Sequence, residues 1–584
     1  MSSITSAVVR KSDRRFDSSL SVFFLLLFLS PPILTVSSFT FETVHNIGDR
    51  EYSYRKRMAT TLVARLSAGE AQSQTMSPLS SSATMEATAR KRLVLIGGGH
   101  SHLQVIKGLN HASRPKDLDV VLIDVTDHPC YSGMVPSAVA GIYSPEETLI
   151  ELKPLAEWSK IDFVRDRVVD IDMEAKIVIT KGNQRIPFDA ISIDIGSTSR
   201  GLSDITGAKD YTIPTRPITD LVRRVEAATD VLKEKNRNTD VEDRNHQRIL
   251  AKVVVVGGGA AGMELSMALS GRWKPMLGER NVSVTVLNSF DRLFPDETPA
   301  NREALMERME ERGIHVIHNA KVDRVDKNSL QLESGERLEF THCLWATGAD
   351  CHSEIIYALR QRGLAISDNG WIRVNECFQS LSHPFVFAAG DCCTMEIPGD
   401  TRPPPKAGVY AVRAGPILIE NLTRLLGNED TKTKNSSDDG GWGEDRDRMP
   451  LKTYEPQKGF LKLLACGDGK ALGFRFGIPF YGKWVFELKD AIDRSFMELF
   501  QKENLPELIE GEPYDTSQYD ASTNRRPPIP SIDAALLLQR SDDNVDYLKA
   551  WDILRDMAED DAYRGEVLQH VELRVSAPEM LAVR

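Results

Sequence analysis

The sequence predicts an α/β protein with two Rossmann-like dinucleotide-binding domains, the first interrupted by the second, and a small α+β segment at the C-terminal side. Two short apolar runs, 93–96 and 253–256, each lead into a glycine-rich turn. Such a turn between a strand and a helix presents backbone N–H groups to a pyrophosphate. The runs lie about one domain length apart, as expected if one nucleotide-binding domain is inserted into another. The glycines of the two turns are Gly97, Gly98 and Gly99, and Gly257, Gly259 and Gly262.

The first turn belongs to a strand–helix–strand unit. Lys91–Ile96 is predicted as a strand, residues 101–109 as a helix and residues 119–124 as the next strand. Asp124 ends that strand, where a carboxylate accepts a hydrogen bond from a ribose hydroxyl in this motif; an ordinary turn residue is the alternative. His102 replaces the usual third glycine, so it either packs near the pyrophosphate or fills the gap between helix and strand. His100, Ser101 and His102, at the start of the helix, are predicted to contact the bound nucleotide.

The second unit follows a predicted helix at 219–233 and a highly charged loop. Its second strand, Val282–Leu287, ends in Asn288 rather than in an acid. The missing carboxylate would bind a ribose diol and repel a 2′-phosphate. Both NADH and NADPH therefore remain open, with Arg292 as a candidate phosphate partner. The unit closes near residues 344–348.

Shorter predicted elements complete the chain. An apolar strand at 385–389 ends in Gly390 and Asp391, and residues 406–419 are predicted to form a helix. An Asp-, Ser- and Gly-rich insertion at 428–450 is expected to be exposed. The remaining expected elements are strands at 460–465 and 471–476, a helix at 483–500, and a helix at 544–559 in a tail without an assigned function.

The composition argues against two classes of function. A net charge of −12 does not suit a surface that follows nucleic-acid phosphates, so nucleic acid is not an expected partner. The seven cysteines show neither C-x-x-C nor a paired zinc spacing, so no metal site or disulfide framework is expected. They are predicted to be buried or incidental thiols in a reducing compartment.

Residues 1–90 are predicted to be a targeting leader outside the fold. Basic residues at 10–15 precede an apolar stretch at 21–36 that Pro31 and Pro32 interrupt, a layout typical of a signal peptide. The stretch is short for a membrane span, and a membrane anchor is the alternative. The Ser-, Thr- and Arg-containing stretch that follows resembles the bipartite leaders of algae with complex plastids. We expect an organellar location, with the plastid first and the mitochondrion second.

These motifs together resemble the pyridine nucleotide-disulfide oxidoreductase superfamily, in its type II NADH dehydrogenase-like branch, over residues 91–500. More narrowly, the runs 97–102, 131–136 and 476–497 are similar to the NADH dehydrogenase-like module that some organisms fuse to selenophosphate synthetase. In that family the first turn holds the ADP part of FAD and the second holds NADH or NADPH. The resemblance implies that Asp391 binds the flavin ribityl chain, with a capping aspartate as the alternative. The other residues it assigns to the cofactors are Glu264, Thr347, Gly348 and Gly390.

The resemblance also implies how the chain divides. The leader is followed by an FAD-binding domain in two parts, which flank an NAD(P)H-binding domain. The expected divisions are the leader (1–90), the first FAD part (91–215), the NAD(P)H domain (216–365), the second FAD part (366–427), the insertion (428–450), a membrane- or dimer-facing segment (451–505) and the tail (506–584).

One departure from that family decides the expected chemistry. Disulfide reductases place two cysteines a few residues apart beside the flavin, but the matching region 128–141 contains only Cys130. Cys392 and Cys393 are vicinal, and adjacent cysteines are expected to pack rather than to form a strained disulfide. We therefore expect hydride to pass from NAD(P)H to FAD, and electrons to pass directly to an acceptor. In the resembled branch that acceptor is a quinone.

Three residues are expected near the isoalloxazine ring: Ser132, Pro136 and Lys406. Hydride transfer needs no side-chain nucleophile or general base, so these residues are expected to shape the flavin environment. Lys406 would oppose the negative charge of the reduced flavin. An exposed lysine at a helix start is the alternative for that residue.

A quinone with an isoprenoid tail requires a membrane-facing surface, and the helix at 483–500 is a candidate for peripheral membrane association. The same pattern suits a helix packed on the flavin domain or on a partner in a homodimer. Its apolar side chains are Trp484, Val485, Leu488, Ile492, Phe496 and Phe500, and the polar side chains expected opposite are Glu487, Lys489, Asp490, Asp493 and Arg494.

Two other functions compete with a peripheral-membrane NAD(P)H:quinone oxidoreductase. The first is a soluble flavin reductase with a protein or small-molecule acceptor, including a selenium or sulfur compound. The second is a redox-sensing protein that binds FAD and NAD(P)H but turns over slowly. Acceptor kinetics distinguish the three.

Overall fold

The computed structural model describes residues 90–238, 249–399, 402–427, 450–457, 460–475 and 477–510. The predicted leader before residue 90, nearly all of the insertion at 428–450 and the tail after residue 510 lie outside the described residues. So does the helix expected at 544–559.

The described elements alternate between strands and helices and are numbered here along the chain. Up to residue 214 they are β1 (Lys91–Ile96), α1 (His100–Gly108), β2 (Leu118–Asp124), α2 (Val135–Val139), α3 (Leu152–Ser159), β3 (Asp162–Arg165), β4 (Val168–Asp172), β5 (Ile177–Thr180), β6 (Arg185–Pro187), β7 (Ala190–Ile193), β8 (Thr198–Ser199), α4 (Ala208–Tyr211) and β9 (Ile213–Pro214). The elements between residues 218 and 361 are α5 (Ile218–Arg237), β10 (Ala251–Val256), α6 (Ala260–Leu277), β11 (Val282–Leu287), α7 (Pro299–Glu311), β12 (Ile314–Ile317), β13 (Val322–Asp326), β14 (Ser329–Leu332), β15 (Arg337–Glu339), β16 (His342–Trp345), β17 (Ala349–Asp350) and α8 (Ser353–Gln361). From residue 372 onward they are β18 (Ile372–Val374), β19 (Val386–Ala388), β20 (Cys393–Met395), α9 (Gly408–Leu426), β21 (Lys462–Ala465), β22 (Ala471–Arg475), β23 (Ile478–Gly482) and α10 (Lys483–Glu498).

A five-stranded parallel sheet carries the first glycine turn. Its strand order is β19-β7-β1-β2-β3, and Leu93 of β1 lies opposite Val120 of β2 and Ala190 of β7. The run from Leu93 to Ile96 is buried, because a parallel sheet covered on both faces requires continuous apolar strands. The helix α1 that follows the turn packs against α9. The sheet thus joins chain segments from before and after the second unit.

A second five-stranded parallel sheet carries the second glycine turn. Its order is β12-β11-β10-β16-β9. The strand β11 has the predicted bounds, Val282–Leu287. The strand β9 pairs with β16 although it precedes the expected domain division at residue 216. These two sheets confirm the predicted fold class.

The helix α9 begins at Gly408, which corrects the prediction of a helix from residue 406. Three consecutive prolines precede Lys406, and Ala407 takes an extended conformation as the N-cap. The extended Ala407 separates Lys406 from the first helical residue. Lys406 therefore lies on the approach to the helix. No helix in the described part of the chain combines the length and the apolar character needed to cross a bilayer.

The C-terminal segment forms a three-stranded antiparallel sheet, β21-β22-β23, followed by α10. The apolar residues expected on one face of α10 pack into the protein: Trp484, Val485, Leu488, Phe496 and Phe500 are buried, and Ile492 is half-buried. Two of the polar residues expected opposite them, Lys489 and Asp493, are also buried. Both faces of α10 are covered because the helix packs on β22 and also contacts the Gly133 region through Lys489.

Candidate functional site

The first glycine turn closes tightly on the end of β7. Gly97 has φ +90°, and a Cβ atom there would lie 2.2 Å from the carbonyl oxygen of Asp194. An L side chain is disfavoured at this φ, and the space is already filled, so the position requires glycine. The Gly97 amide donates to the Ile123 carbonyl oxygen at 2.8 Å. The turn therefore lies between the ends of β1, β2 and β7.

The Asp124 carboxylate holds the same turn. Its Oδ2 accepts from the Gly98 amide at 2.6 Å and its Oδ1 accepts from the Thr126 amide at 2.8 Å. Burial raises the pKa of this carboxyl, while these backbone hydrogen bonds lower it. Each oxygen keeps further acceptor capacity, and the contact of Asp124 with a ribose hydroxyl stays a prediction.

His102 fills the gap between helix and sheet, the second of its two expected roles. The side chain is fully buried; its Nδ1 donates to the Gly97 carbonyl oxygen at 2.6 Å, and its Nε2 accepts from the Ser192 hydroxyl at 2.8 Å. The carbonyl can only accept, and this sets the neutral tautomer. Burial lowers the pKa of His102 to about 4. The residue stabilises the turn as a neutral imidazole.

His100 lies on the other side of α1, next to the segment that replaces the dithiol. Its ring centroid is 5.3 Å from that of Tyr131 and 5.7 Å from that of Phe496. Its Nε2 atom is buried and has no hydrogen-bond partner among the described residues. Burial lowers the pKa of His100, while nearby Asp194 and Asp391 raise it. An unpartnered buried nitrogen beside a glycine turn fits a bound ligand with a polar group.

Asp194 is a site residue that the sequence analysis missed. Its carboxylate is 3% exposed and accepts from the Ser101 amide at 3.0 Å. A Cβ atom at Gly99 would lie 2.2 Å from this carboxyl group, and one at Gly390 would lie 2.5 Å from it. Burial raises the pKa of Asp194 to about 6. The available signal was an acid directly after the apolar strand β7, which pairs with β1.

Asp391 lies beside this turn and forms an ion pair that joins distant segments. Its Oδ2 accepts from the Ser197 hydroxyl at 3.0 Å and lies 3.3 Å from Nη2 of Arg216. Gly390 before it has φ +70°. Both charged side chains are about one-fifth exposed. Arg216, which precedes α5, was missed because nothing local in the sequence marks its partner.

The three residues expected near the isoalloxazine ring lie around α2 and the start of α9. Pro136 is buried in the first turn of α2. The Ser132 hydroxyl would lie 3.5 Å from a Cβ atom at Gly408, the first residue of α9. The Lys406 ammonium donates to the Cys393 carbonyl oxygen and lies 4.3 Å from the ring centroid of Trp371. Lys406 is therefore anchored beside the Asp391 segment and is partly buried.

The second glycine turn has open space at its middle glycine, Gly259, whereas Asp194 fills the corresponding space at Gly99 in the first turn. Gly257 has φ +118°, and a Cβ atom there would lie 2.2 Å from the Ala346 carbonyl oxygen. A Cβ atom at Gly262 would lie 1.9 Å from the Gly257 carbonyl oxygen, so this glycine allows close packing of α6. A Cβ atom at Gly259 would meet no heavy atom within 4 Å. That open space at the start of α6 fits the close approach of a pyrophosphate.

Asn288 organises the loop after β11. Its side chain is 3% exposed and donates to the carbonyl oxygens of Phe290 and Arg292, both at 2.9 Å. Arg292 itself pairs with Asp291 at 2.9 Å on the surface. The predicted phosphate partner therefore has a carboxylate partner of its own.

Thr347 and Gly348 connect the two units. The Thr347 hydroxyl donates to the Arg200 carbonyl oxygen, and the Arg200 amide donates to the Gly348 carbonyl oxygen at 3.0 Å. Next to them, β17 pairs with β8 in an antiparallel ladder. These bonds hold the end of the second sheet against the connection that leaves the first.

Glu264 faces the C-terminal sheet. Its Oε1 accepts from the Ala465 amide at 2.9 Å. Burial raises the pKa of this carboxyl to about 7, although Lys489 nearby lowers it. The family resemblance assigned Glu264 to the nucleotide site, and the structure directs the carboxylate toward β21 because the hairpin covers that side of α6.

A buried charged cluster lies next to Glu264. The Lys489 ammonium of α10 donates to Asp493 Oδ2 at 2.7 Å and to the Gly133 carbonyl oxygen at 2.6 Å. Burial raises the pKa of Asp493, while Lys489 and a hydrogen bond from Tyr131 lower it. The cluster joins α6, α10 and the Tyr131–Gly133 segment. We call Tyr131, Glu264, Lys489 and Asp493 the buried proton cluster; Lys489 and Asp493 are buried, and Tyr131 and Glu264 are half-buried.

None of the cysteines provides a dithiol. All seven lie in the described part of the chain and are free. The Cys130 thiol donates to the Thr148 hydroxyl at 3.1 Å, and burial raises its pKa to about 11. Cys392 and Cys393 are buried, and burial raises both pKa values. A reactive thiolate requires a lowered pKa, so these thiols are unsuited to exchange electrons.

Comparison with known proteins adds to this geometry. The sequence profile of the family described as pyridine nucleotide-disulphide oxidoreductase matches residues 91–415. The type II NADH:quinone oxidoreductase of Staphylococcus aureus is 23% identical over 425 residues, which cover 69% of this chain and 94% of that relative. NDH2 from Plasmodium falciparum in complex with NADH superposes with a TM-score of 0.56 at 14% identity, over 71% of this chain and 96% of that one. The sulfide:quinone oxidoreductase from Aquifex aeolicus superposes with a TM-score of 0.54 at 17% identity, over 71% and 92%. At these identities the structural likeness shows a shared fold.

Proposed function

Because the chain belongs to the pyridine nucleotide-disulphide oxidoreductase family, whose profile matches more than half of it, we propose that it is an FAD-dependent NADH dehydrogenase that reduces a quinone. FAD binds at the first glycine turn and the nicotinamide nucleotide at the second. The overall reaction is NADH + H⁺ + quinone → NAD⁺ + quinol. Bound FAD supplies the hydride acceptance from NADH and the electron transfer onward, chemistry that belongs to the cofactor.

The observation that carries this proposal is the content of the segment where a disulfide reductase has its dithiol. Here Tyr131 bonds to Asp493, and Lys489 bonds to the Gly133 carbonyl oxygen. The one cysteine nearby, Cys130, has a pKa raised by burial. Electrons therefore have no thiol relay in this segment, and the acceptor must be reduced directly.

The buried proton cluster suits an acceptor that takes up protons as well as electrons. A quinone becomes a quinol by gaining two of each. A carboxyl with a pKa of about 7, such as Glu264, is half protonated near neutral pH and suits the exchange of a proton. Lys489 and Asp493 hold the segment next to it in place through the Gly133 carbonyl oxygen.

The nucleotide is proposed to be NADH. The Staphylococcus aureus relative, a type II NADH:quinone oxidoreductase, supports this choice. The strand β11 ends in Asn288, so no carboxylate is present there to repel the 2′-phosphate of NADPH. NADPH is therefore the competing donor, and kinetics must compare it with NADH. The exposed pair of Asp291 and Arg292 leaves charge of both signs near this loop.

A soluble acceptor is the second candidate, and one observation favours it. The apolar residues of α10 that suited a membrane surface are covered by this chain itself, including Trp484, Leu488 and Phe496. A soluble flavin reductase with a protein or small-molecule acceptor needs no such surface. The proposal from the sequence still includes peripheral membrane association and a homodimer. It also includes an organellar location, with the plastid first and the mitochondrion second.

The test is anaerobic stopped-flow absorbance of the flavin in the purified full chain. Mixing with NADH should bleach the flavin, and mixing the reduced protein with a short-chain quinone should restore it. NADPH is run in parallel to rank the nucleotides. Bleaching without recovery by quinone would contradict the quinone assignment and favour the soluble acceptor. Protein that binds no flavin would overturn the whole assignment.

Lipid vesicles separate the two acceptor classes further. We expect vesicles that contain a long-chain quinone to reoxidise the reduced protein. Reoxidation by the short-chain quinone alone, without binding to vesicles in a flotation assay, would contradict the membrane part of the proposal.

A further inference from the structure

Three carboxyl groups surround the first glycine turn, and within the described residues Asp391 alone of the three has a cationic partner. Asp124 accepts two backbone amides, and Asp391 pairs with Arg216 at 3.3 Å. Asp194 is 3% exposed and forms no ion pair within the described ranges. Its carboxylate is stabilised by the Ser101 amide at 3.0 Å, by the Ser101 side chain and the His102 amide, and by His100 nearby, and none of these is a lysine or an arginine. A buried carboxylate without a cationic partner is costly to keep ionised.

Asp194 occupies the place where another anion is expected. The Ser101 amide belongs to the first turn of α1, where free N–H groups and the helix dipole attract a pyrophosphate. The carboxyl group cannot move far, because Gly99 and Gly390 both lie so close that an added Cβ atom would be within 2.5 Å of it. An ionised Asp194 and a bound pyrophosphate would therefore share one helix end.

The groups that face Asp194 do not neutralise it. From α1 these are His100 and His102, whose pKa values are lowered by burial. From the turn before β20 they are Asp391, Cys392 and Cys393, and burial raises the pKa of both thiols. The neighbouring side of α9 contributes the uncharged Ala411. Near neutral pH both histidines are neutral, and both thiols stay protonated and uncharged. None of these four groups therefore balances a second anion.

We propose, on the basis of the proposed function, that binding of the FAD pyrophosphate at α1 is coupled to the uptake of one proton by Asp194. The neutral carboxyl then keeps its place between the two glycines without repelling the phosphates. Before binding, burial places the pKa of Asp194 at about 6, so the carboxyl is ionised at neutral pH. A second anion beside it favours the protonated form still more. FAD affinity must then fall as the pH rises above 6.

The experiment is isothermal titration calorimetry of FAD into the full chain from which flavin has been removed. Binding is measured in phosphate and in Tris, whose ionisation enthalpies differ, so that the difference in heat counts the protons taken up. At slightly alkaline pH we expect about one proton per FAD and a Kd that rises about tenfold per pH unit. Asp194→Asn should abolish the uptake and flatten the pH dependence. Asp189→Asn is the matched control, because Asp189 lies at the opposite end of β7 and accepts from the Arg92 amide at 2.7 Å; it should behave as the wild-type protein does.

The outcomes separate this inference from the function on which it rests. FAD binding with equal heats in both buffers would overturn the proton coupling and leave the flavoprotein assignment standing. Proton uptake that persists in folded Asp194→Asn would also overturn it. Failure of the wild-type protein to bind FAD at any pH would overturn the proposed function instead. If the variant does not fold, the comparison of buffers with the wild-type protein decides by itself.

Discussion

The Nδ1 atom of His102 lies 2.6 Å from the carbonyl oxygen of Gly97, so the third position of the first glycine fingerprint is bonded to its first. A glycine at the third position normally lets the helix approach the strand closely. Here the imidazole fills that space and joins the turn to Ser192 of the neighbouring strand. The departure from the motif is therefore compensated within the turn itself.

Replacing His102 should destabilise the protein, even where the substitution restores the small residue of the motif. His102→Ala removes two buried hydrogen bonds and leaves a cavity, with an expected loss of about 2–4 kcal/mol in the free energy of unfolding. Urea titration measures this loss. The exposed His315 on β12 is the control, and His315→Ala should change the free energy of unfolding by less than about 0.5 kcal/mol. Equal effects of the two substitutions would contradict the role of His102.

The stability of the protein should depend on pH through the same residue. Burial lowers the pKa of His102 to about 4, whereas the unfolded chain has an ordinary value near ~6.5. The unfolded state thus binds more protons between these values, and stability falls as the pH drops through this window. His102→Gln should reduce the loss of stability between about pH 7 and pH 5 by about 2 kcal/mol. An unchanged pH dependence in folded His102→Gln would show that the imidazole does not titrate in this way.

Gly259 should act on nucleotide binding without affecting folding. A methyl group at this position meets no protein atom within 4 Å, but it enters the space expected for the pyrophosphate. We expect Gly259→Ala to raise the Kd for NADH about tenfold, equivalent to about 1.4 kcal/mol. The concentration dependence of flavin bleaching gives the Kd, and the flavin content and melting temperature should stay unchanged. Normal NADH affinity in this variant would argue against the second turn as the nicotinamide nucleotide site.

The ion pair between Lys489 and Asp493 should be sensitive to the loss of one partner. Both side chains are less than one-tenth exposed, and Lys489→Met would leave a buried carboxylate without its cation. The expected loss is about 3–5 kcal/mol of stability, and the double variant Lys489→Met, Asp493→Leu should regain most of it. Urea titration of both variants measures the coupling. A loss below about 1 kcal/mol in Lys489→Met would contradict a closed, desolvated pair.

Glu264 should set the pH dependence of acceptor reduction. Burial raises its pKa to about 7, so the carboxyl holds a proton below this pH and loses it above. We expect reoxidation of the reduced flavin by a short-chain quinone to slow as the pH rises through 7, and Glu264→Gln to remove this transition. Stopped-flow absorbance across the pH range is the measurement. Glu310, exposed on α7, is the matched control, and a transition that survives in Glu264→Gln would assign the proton to another group.

The sequence determined the elements whose signals are local. Apolar runs of four or more residues followed by glycines placed β1 and β10 and their turns, because the strand, the positive φ and the helix start all depend on neighbouring residues. The strand β11 was predicted with its observed bounds. The missing second cysteine near Cys130 could also be read directly, since it is a matter of residue identity.

Only the tertiary structure decided which distant charges meet and which are buried. The pairs that the sequence analysis did not find join separate segments: Asp194 with Ser101, and Arg216 with Asp391. Helical periodicity could not show that the Gly133 segment covers the side of α10 that carries Lys489. Burial of a side chain depends on which other parts of the chain pack against it. The pKa of a carboxyl group rises when that packing removes its water. The motifs of the chain are therefore local, whereas the electrostatics of its site follow from the fold.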